Sequence, residues 1–404
     1  MKMHGILHNH AGLAGSGNDG FAALCDPCGR MLYNPKSMSG EEFTPSQLRR
    51  FRRELLAWFD ESARDLPWRR TSDPYAIWVS EIMLQQTRVN AVLDHYAQFM
   101  ARFPNIDALA AVEEPEVLAI WSGLGYYRRA RMLHKAAQFV MRELGSSMPK
   151  TAADLRALPG VGAYTSAAIA SIAFGEAAAV VDGNVERVLM RLMALEPAHN
   201  GKAGDLQRRV KQAADQLLDH ERPGDFNQAM MELGATICLP RNPLCLQCPV
   251  QKLCRTRGEH PTAPRKEMSR SAVSYALLRK ADRKGAVKIL LEQRPQEASL
   301  MAGMWELPQV ENFDANSERL LLQVRHSITV TNYSVSVLHF LPEEERMLAK
   351  RKTRKWVDRE DLTGLPLTGL ARKVLKRLRV LPSHASGAAP IVSGVKNANI
   401  LPLL

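Results

Sequence analysis

The stretch LPGVGAYTSA, residues 158–167, places two glycines around a valine and continues into small residues typical of a helix. Gly160 and Gly162 permit backbone conformations that other residues resist, so the stretch predicts a tight turn opening into a helix. Successive amide N–H groups at such a helix start point outward and form a site for an anion. An ordinary helix–helix turn is the alternative, because a single Gly-x-Gly is a weak signal. The four cysteines downstream favour the anion site.

Charge suggests which anion this is. The chain has 404 residues, and its 54 lysines and arginines exceed its 42 acidic residues by twelve. The excess predicts a polyanionic partner, so the anion at the turn is expected to be a DNA phosphate. A basic surface without a partner is the alternative that charge leaves open. No apolar run of about eighteen residues occurs, so no membrane partner is expected. His8, Asn9 and His10 interrupt any signal-peptide core, and we expect a cytoplasmic protein, nucleoid-associated if bacterial.

The periodicity divides the chain into regions. Residues 1–45 are rich in Gly, Asn and His and predict a disordered N-terminal extension, with a small metal site at Cys25-x-x-Cys28 as the alternative. Residues 46–255 show helical periodicity, and 256–271 carry prolines and charges typical of a linker. Residues 272–380 change to a period of two, which predicts strands, and 381–404 are expected to be a flexible tail. Predicted helices include 48–62, 77–103, 115–123, 130–144, 164–174 and 369–378, and predicted strands are 273–278, 287–292 and 328–340.

Four cysteines, Cys238, Cys245, Cys248 and Cys254, are separated by six, two and five residues. No histidine lies between the first and the last, so a site made of thiolates alone is expected. Four thiolates bind one [4Fe–4S] cluster or one tetrahedral zinc ion, and the spacing fits neither a zinc ribbon nor a zinc finger. We therefore favour the cluster, keep zinc as the alternative, and regard disulfides as unexpected in a reducing compartment. The basic flanks of this loop, at 241, 252, 255 and 257, suggest that it touches DNA.

These motifs together resemble the MutY family of adenine DNA glycosylases, within the helix–hairpin–helix glycosylases related to endonuclease III. Besides the turn and the cysteines, the stretches that carry the resemblance are LPWR (66–69), DPY (73–75), VSEIMLQQT (79–87), WSGLGYY (121–127), VDGNV (181–185) and FNQAMMELG (226–234). The resemblance is close over 46–255 and loose over 270–380. It implies a multidomain fold: an all-α helix–hairpin–helix glycosylase domain with an iron–sulfur cluster loop, then an α+β Nudix-like domain.

The resemblance also implies an activity and a partner. The expected reaction is hydrolysis of the N-glycosidic bond of adenine mispaired with 8-oxoguanine or guanine, in base excision repair. The expected partner is double-stranded DNA with such a mispair, bound by a monomer, and the cofactor is a [4Fe–4S] cluster. Another mismatch-specific glycosylase of the superfamily, or a DNA-scanning protein without catalysis, is the alternative. The presence of both carboxylates described next speaks against the scanning protein.

Breaking an N-glycosidic bond through an oxocarbenium-like state calls for two carboxyl groups, one protonated and one ionised. Glu81 lies in an apolar helical segment, which is expected to raise its pKa and keep it protonated. Asp182 precedes a helix expected near Val185. The resemblance assigns Glu81 to protonation of adenine N7 and Asp182 to stabilisation of the sugar cation. The alternatives are a buried structural hydrogen-bonding group for Glu81 and a helix N-cap for Asp182.

Bifunctional relatives carry a lysine in the helix after the hairpin, where it attacks the sugar. Tyr164 occupies that position, and no lysine occurs from 151 through 199, so a monofunctional enzyme that leaves an abasic site is expected. Tyr164 is expected to position the sugar or water, with a packing aromatic as the alternative. Base extrusion needs a wedge that fills the gap in the stack. By resemblance this wedge is Gln85, four residues after Glu81 on the same helical face, with Tyr126 on a loop. A solvated helix face for Gln85 and a core aromatic for Tyr126 are the alternatives.

The C-terminal region resembles the Nudix-like domain that helps these glycosylases recognise 8-oxoguanine. The acid-rich helix that would bind magnesium is missing around residues 303–308, so Nudix hydrolysis is not expected. Where the family has a Phe-Ser-His loop, this chain has Ile328, Thr329 and Val330. Only Thr329 keeps a hydroxyl, so it is the remaining candidate for DNA contact in this loop.

Overall fold

The computed structural model describes residues 43–195, 204–258, 267–282, 285–311, 318–348 and 353–381. The predictions for the N-terminal extension, including Cys25 and Cys28, and for nearly all of the tail lie outside these residues. So does most of the predicted linker, and the domain boundaries therefore stay predictions. Within the described ranges, none of the helices combines the length and apolar character needed to cross a bilayer.

Helices make up the first part of the described chain. Their bounds are α1 Pro45–Ser62, α2 Pro74–Leu84, α3 Val89–Arg102, α4 Ile106–Ala110, α5 Glu114–Trp121, α6 Arg128–Glu143, α7 Ala152–Leu155, α8 Ala163–Phe174, α9 Gly183–Met193, α10 Asp205–Leu217 and α11 Pro223–Thr236. The prediction of a continuous helix over 77–103 is wrong, because α2 ends at Leu84 and Gln86 adopts a positive φ of 56°. A left-handed residue cannot continue a right-handed helix.

Strands follow in the second part of the described chain. Their bounds are β1 Ser269–Ala281, β2 Val287–Gln293, β3 Trp305–Glu306, β4 Gln309–Val310, β5 Leu320–Ile328, β6 Thr331–Phe340 and β7 Arg354–Asp358, and they precede helix α12, Gly369–Arg377. β1 lies parallel to β6, whereas β2 and β4 run antiparallel to β1, and β5 runs antiparallel to β6. β3 and β7 both pair antiparallel with β2. This mixed sheet with α12 confirms the α+β character expected after the helices.

The predicted strand 328–340 is wrong at its start. Ile328 ends β5 and pairs with Thr331 at the start of β6, so Thr329 and Val330 form a two-residue hairpin loop. Thr329 has a φ of +49°, a left-handed conformation that is unusual for a β-branched residue. Apolar and polar residues keep alternating through this two-residue loop, so periodicity alone did not reveal the turn.

The helical and sheet parts share packing contacts. The described residues from Pro45 onward belong to one compact unit, and Met304, which precedes β3, is fully buried in the main helical core. Ser122 and Tyr127, on the connection between α5 and α6, both donate hydrogen bonds to the carbonyl oxygen of Leu367, at 2.8 and 3.2 Å. These contacts hold the start of α12 beside the helical part.

Candidate active site and nucleic-acid interface

Glu81 lies in the last turn of α2, where every residue from Tyr75 to Met83 is buried. Its side chain is only 5% exposed, and the Tyr164 hydroxyl, from the second residue of α8, donates to its Oε2 at 2.5 Å. Burial raises the pKa of the Glu81 carboxyl to about 7; the Tyr164 hydrogen bond and Arg69 lower it, while the charge of Asp182 raises it. The expected rise in pKa is confirmed. Close to neutral pH, a large fraction of Glu81 carries the proton that an acid must deliver.

Asp182 is the N-cap of α9. Its Oδ1 accepts hydrogen bonds from the backbone N–H groups of Asn184 and Val185, at 2.9 and 2.7 Å, and its Oδ2 accepts one from the Asn184 side chain at 3.1 Å. The N-cap interpretation is therefore correct. It does not compete with a catalytic role, because a helix N-terminus also stabilises a carboxylate charge. The charge of Asp182 influences both Glu81 and Tyr164, so the three groups share one site.

Tyr164 connects the two carboxyl groups to the hairpin. Burial and the neighbouring Glu81 raise the pKa of its hydroxyl well above the usual value, so the hydroxyl acts as a donor at neutral pH. The same hydroxyl also lies 3.4 Å from the sulfur of Met231. A purely packing role for this aromatic ring does not account for a hydroxyl directed at Glu81.

The hairpin adopts the predicted tight turn between α7 and α8. Gly160 has a φ of +75°, and a Cβ on it would lie 2.4 Å from Met132 Cβ, so this position requires glycine. Gly162 is the N-cap of α8, and both glycines are exposed. The amide groups at the α8 N-terminus are thus accessible to an anion in solution.

A cleft of about 1270 Å³ runs from the hairpin to the β5–β6 loop. Four of the five residues predicted to contact DNA line it: Gln85, Tyr126 and Gly160 from the helical part, and Thr329 from the sheet part, whereas Gly162 is not among its lining residues. Thr329 is exposed, and its hydroxyl donates only to the adjacent Ile328 carbonyl, at 2.8 Å. The tertiary structure therefore brings together four residues separated by more than 240 positions in the sequence.

The two predicted wedge residues lie on loops. Gln85 is the C-cap of α2, with a ψ of 114° where the helix ends. Its side-chain amide donates to Thr165 Oγ1 on α8 at 3.1 Å. Tyr126 is 50% exposed, so the core-aromatic interpretation is wrong. Both residues line the cleft.

Several basic residues of the cleft were missed by sequence reasoning. On α12, Arg372, Lys373 and Lys376 face the cleft, and the helical part adds Arg128, Arg129 and Arg131. The basic positions of α12 recur at i, i+1 and i+4, a spacing that places them on one helical face and was the available signal. Nothing in the sequence, however, says that this face meets the hairpin, which lies about 210 residues earlier.

The four central cysteines line one small cavity of about 30 Å³ together with Arg191. They are free thiols, so the disulfide alternative is wrong. Burial, with a smaller contribution from the neighbouring thiols, raises the pKa of the Cys248 thiol to about 12, although a backbone hydrogen bond from Val250 lowers it. Arg191, only 2% exposed, lies with Nη1 3.4 Å from Cys238 Sγ, and its Nε has no hydrogen-bond partner among the described residues. A buried cation beside four thiols suits an anionic thiolate site.

The sulfur arrangement also bears on which metal group fits. No group of three or more His, Cys, Asp or Glu side chains in the described ranges is arranged to bind one metal ion. A zinc ion needs its ligand atoms within about 2.3 Å of a single centre. Four thiols around one shared cavity are a donor set that a cluster or a zinc ion can use.

Comparisons with known proteins agree with this geometry. Residues 79–213 match the model of the HhH-GPD superfamily base excision DNA repair protein. The adenine DNA glycosylase of Schizosaccharomyces pombe is 32% identical over 336 residues, covering 68% of this chain and 72% of that protein. This chain belongs to the adenine DNA glycosylase family.

Other members and one solved structure complete the comparison. The human adenine DNA glycosylase is 42% identical over 317 residues, covering 64% of this chain and 57% of the human protein. The chain thus spans less than two thirds of the length of this family member. The structure of a thermostable thymine-DNA glycosylase is 31% identical, with a TM-score of 0.47, covering 52% of this chain and 95% of that one.

Proposed function

We propose that this chain is a monofunctional adenine DNA glycosylase acting on duplex DNA in which adenine lies opposite 8-oxoguanine or guanine. One observation carries the proposal: Glu81, a buried carboxyl with a pKa of about 7, shares a site with the Asp182 carboxylate. Two carboxyl groups with different environments are the arrangement that glycosidic hydrolysis requires.

In this reaction Glu81 donates its proton to the departing adenine. The N-glycosidic bond then breaks with its electron pair on the base, and positive charge develops on the sugar. Asp182 stabilises that charge electrostatically. The oxygen of a water molecule bonds to the sugar carbon, and its released proton passes to a carboxylate. The products are free adenine and an abasic site.

The lack of a lysine from residue 151 through 199 supports hydrolysis over strand-cleaving chemistry. Tyr164 occupies the position after the hairpin, and its hydroxyl is held by Glu81 rather than directed at a free space. A neutral phenol with a raised pKa cannot form a Schiff base with the sugar, as a lysine would. Tyr164 instead orients the acid and, with it, the leaving base.

DNA is proposed to bind in the cleft, with one strand backbone at the hairpin amides and the lesion strand facing the β5–β6 loop. The cleft residues Arg372, Lys373 and Lys376 supply positive charge on the sheet side. The Thr329 hydroxyl, exposed at the tip of that loop, is the proposed contact to 8-oxoguanine. The proposed binding unit is a monomer, because both sides of the cleft come from one chain.

We further propose that Cys238, Cys245, Cys248 and Cys254 hold a [4Fe–4S] cluster. The support is the shared cavity lined by four thiols and the buried Arg191 beside them. When bound, the cluster ties the loop together and so places its exposed basic residues, Arg241 and Lys252, for contact with DNA. Zinc is the alternative, and metal analysis of the purified protein distinguishes it from the cluster.

The deciding experiment is incubation of the protein with four duplexes: adenine opposite 8-oxoguanine, adenine opposite guanine, thymine opposite guanine, and adenine opposite thymine. Alkaline cleavage of the abasic product reports excision. We expect release of adenine from the first two duplexes only. Release of thymine would identify a different mismatch glycosylase, and binding without any release would identify a DNA-scanning protein.

A further inference from the structure

Arg129, on the first turn of α6, is a partly buried cation in the cleft wall between the two wedge residues. Its guanidinium makes five hydrogen bonds, all to neutral oxygens, which lie at the end of α2, just after it, and on the connection between α5 and α6. No ion pair joins it to a carboxylate among the described residues, and its buried Nε has no hydrogen-bond partner there. A desolvated charge without a counter-charge is unfavourable for stability, so its retention calls for another explanation.

The first loop that Arg129 holds is the end of α2. Nη1 donates to the carbonyl oxygens of Ile82 and Met83, at 2.7 and 3.0 Å, and also to that of Gln85. The last carbonyls of a helix lack partners within the helix and carry its negative dipole, so a guanidinium satisfies both requirements. Arg129 therefore caps the helix that carries Glu81 and fixes the backbone of Gln85.

The second loop holds Tyr126. Nη2 of Arg129 donates to the Gly125 carbonyl at 3.4 Å and to Thr87 Oγ1 at 3.0 Å. The guanidinium carbon lies 5.4 Å from the centre of the Tyr126 ring, within reach of a cation–π contact. It also lies 5.5 Å from the centre of the Trp121 ring, a second aromatic contact that helps to fix the guanidinium.

Both loops are strained where they meet Arg129. Gln86 and Tyr126 have φ values of +56° and +49°, which non-glycine residues adopt only when the surroundings hold them there. We propose that Arg129 is the positioning residue of the wedge, holding Gln85 and Tyr126 together in the conformation that enters the base stack. This inference rests on the proposed function and deepens it, because it assigns the preorganisation of the wedge to one side chain.

Extrusion of the adenine is the step that this residue controls. Extrusion is unfavourable because the base loses its stacking and pairing, and a preformed wedge offsets part of that free energy. Disordered loops would have to be ordered at the moment of binding. Removing Arg129 is therefore expected to weaken extrusion, while the phosphate contacts at the hairpin and α12 still hold undamaged duplex.

The test places 2-aminopurine beside the target adenine and follows its emission, which rises when the stack opens. The full chain carries Glu81→Gln to prevent excision, and Arg129→Met or Arg129→Lys is added to it. We expect both additions to remove at least half of the rise at saturating protein, since lysine keeps the charge but not the planar fork. Affinity for undamaged duplex is expected to stay within about threefold, because hairpin and α12 contacts persist.

Arg142→Gln is the matched control, because Arg142 is exposed in the last turn of the same helix and outside the cleft. It should leave the emission rise unchanged. In the chain with Glu81 intact, Arg129→Met is expected to slow single-turnover excision by on the order of 30-fold. Should Arg129→Met fail to fold, as judged by circular dichroism, Arg129→Lys carries the test.

A full emission rise with folded Arg129→Lys or Arg129→Met would overturn the inference. An equal loss with Arg142→Gln would overturn it too, by reducing the effect to net charge. Failure of the proposed function has a separate signature, since a wild-type chain that released no adenine would still report extrusion through 2-aminopurine.

Discussion

The hydroxyl of Tyr164 donates a 2.5 Å hydrogen bond to Oε2 of Glu81, so the residue that replaces the lysine of bifunctional relatives contacts the proposed acid directly. This contact has two consequences for Glu81. It orients the carboxyl, and it lowers a pKa that burial raises to about 7. The balance sets the fraction of protein that carries a usable proton at neutral pH.

Tyr164→Phe should move the pH dependence of excision. Because the acid must be protonated, the single-turnover rate is expected to fall as pH rises through the Glu81 pKa, near 7. The variant loses the hydrogen bond that lowers this pKa, so the falling limb should shift to higher pH. Rates measured from pH 5 to 9 test this. A falling limb at the same pH as in the wild type would show that Tyr164 does not influence the pKa of Glu81.

Glu81→Gln should abolish adenine release while affinity for the duplex stays nearly unchanged, because an amide has the same volume but no acidic proton. Stability provides an independent measure. The folded pKa is raised above its unfolded value of 4.5, so the wild type loses stability as pH rises from 4.5 through 7. The melting temperature of the variant, relative to that of the wild type, should therefore be higher at pH 8 than at pH 5. Substantial activity of the variant would remove Glu81 from the acid role.

Asp182→Asn separates the charge of this residue from its cap. Asparagine is as good an N-cap as aspartate, so the hydrogen bonds to the α9 backbone and the melting temperature should persist. Excision should fall by roughly 10²–10³-fold or more, since the charge opposite the forming cation is lost. Single-turnover assays with a melting curve decide between the roles. Near-normal excision would leave Asp182 with the cap alone.

Anaerobically purified protein should be brown and contain about four irons per chain. Cys248→Ser is expected to lose iron and much of the affinity for DNA, because the loop cannot pack around its cavity without the cluster. Leu246→Ala is the control, since this side chain lies in the same loop, is 94% exposed and is not a ligand. Stoichiometric zinc without iron would contradict the cluster.

Thr329→Ala tests recognition of 8-oxoguanine. Alanine meets the same backbone restriction at a φ of +49°, so the substitution removes mainly the hydroxyl. One neutral hydrogen bond contributes about 0.5–1.5 kcal/mol, so the binding preference for 8-oxoguanine over guanine should fall by roughly tenfold or less. Thr363→Ala, outside the cleft, serves as the control. A hundredfold loss would show that Thr329 alone carries the discrimination.

Local motifs made much of this protein predictable. The glycines of the hairpin, the spacing of the cysteines and the apolar surroundings of Glu81 act over a few residues, where backbone freedom, ligand geometry and burial follow from composition. The change from helical to alternating periodicity likewise located the sheet. The end of α2 and the Thr329 loop were mispredicted because a left-handed residue interrupts a pattern without changing its polarity.

Only the tertiary structure decided which distant residues meet. The opposition of Thr329 to the hairpin, the basic face of α12 in the cleft and the burial of Met304 among the helices depend on how two parts of the chain pack. Arg129 is the clearest case, because its neutral partners lie on loops up to 47 residues away and leave no charge pattern in the sequence. Sequence periodicity reports which face of an element is buried, whereas the identity of the partner is set by packing across the whole core.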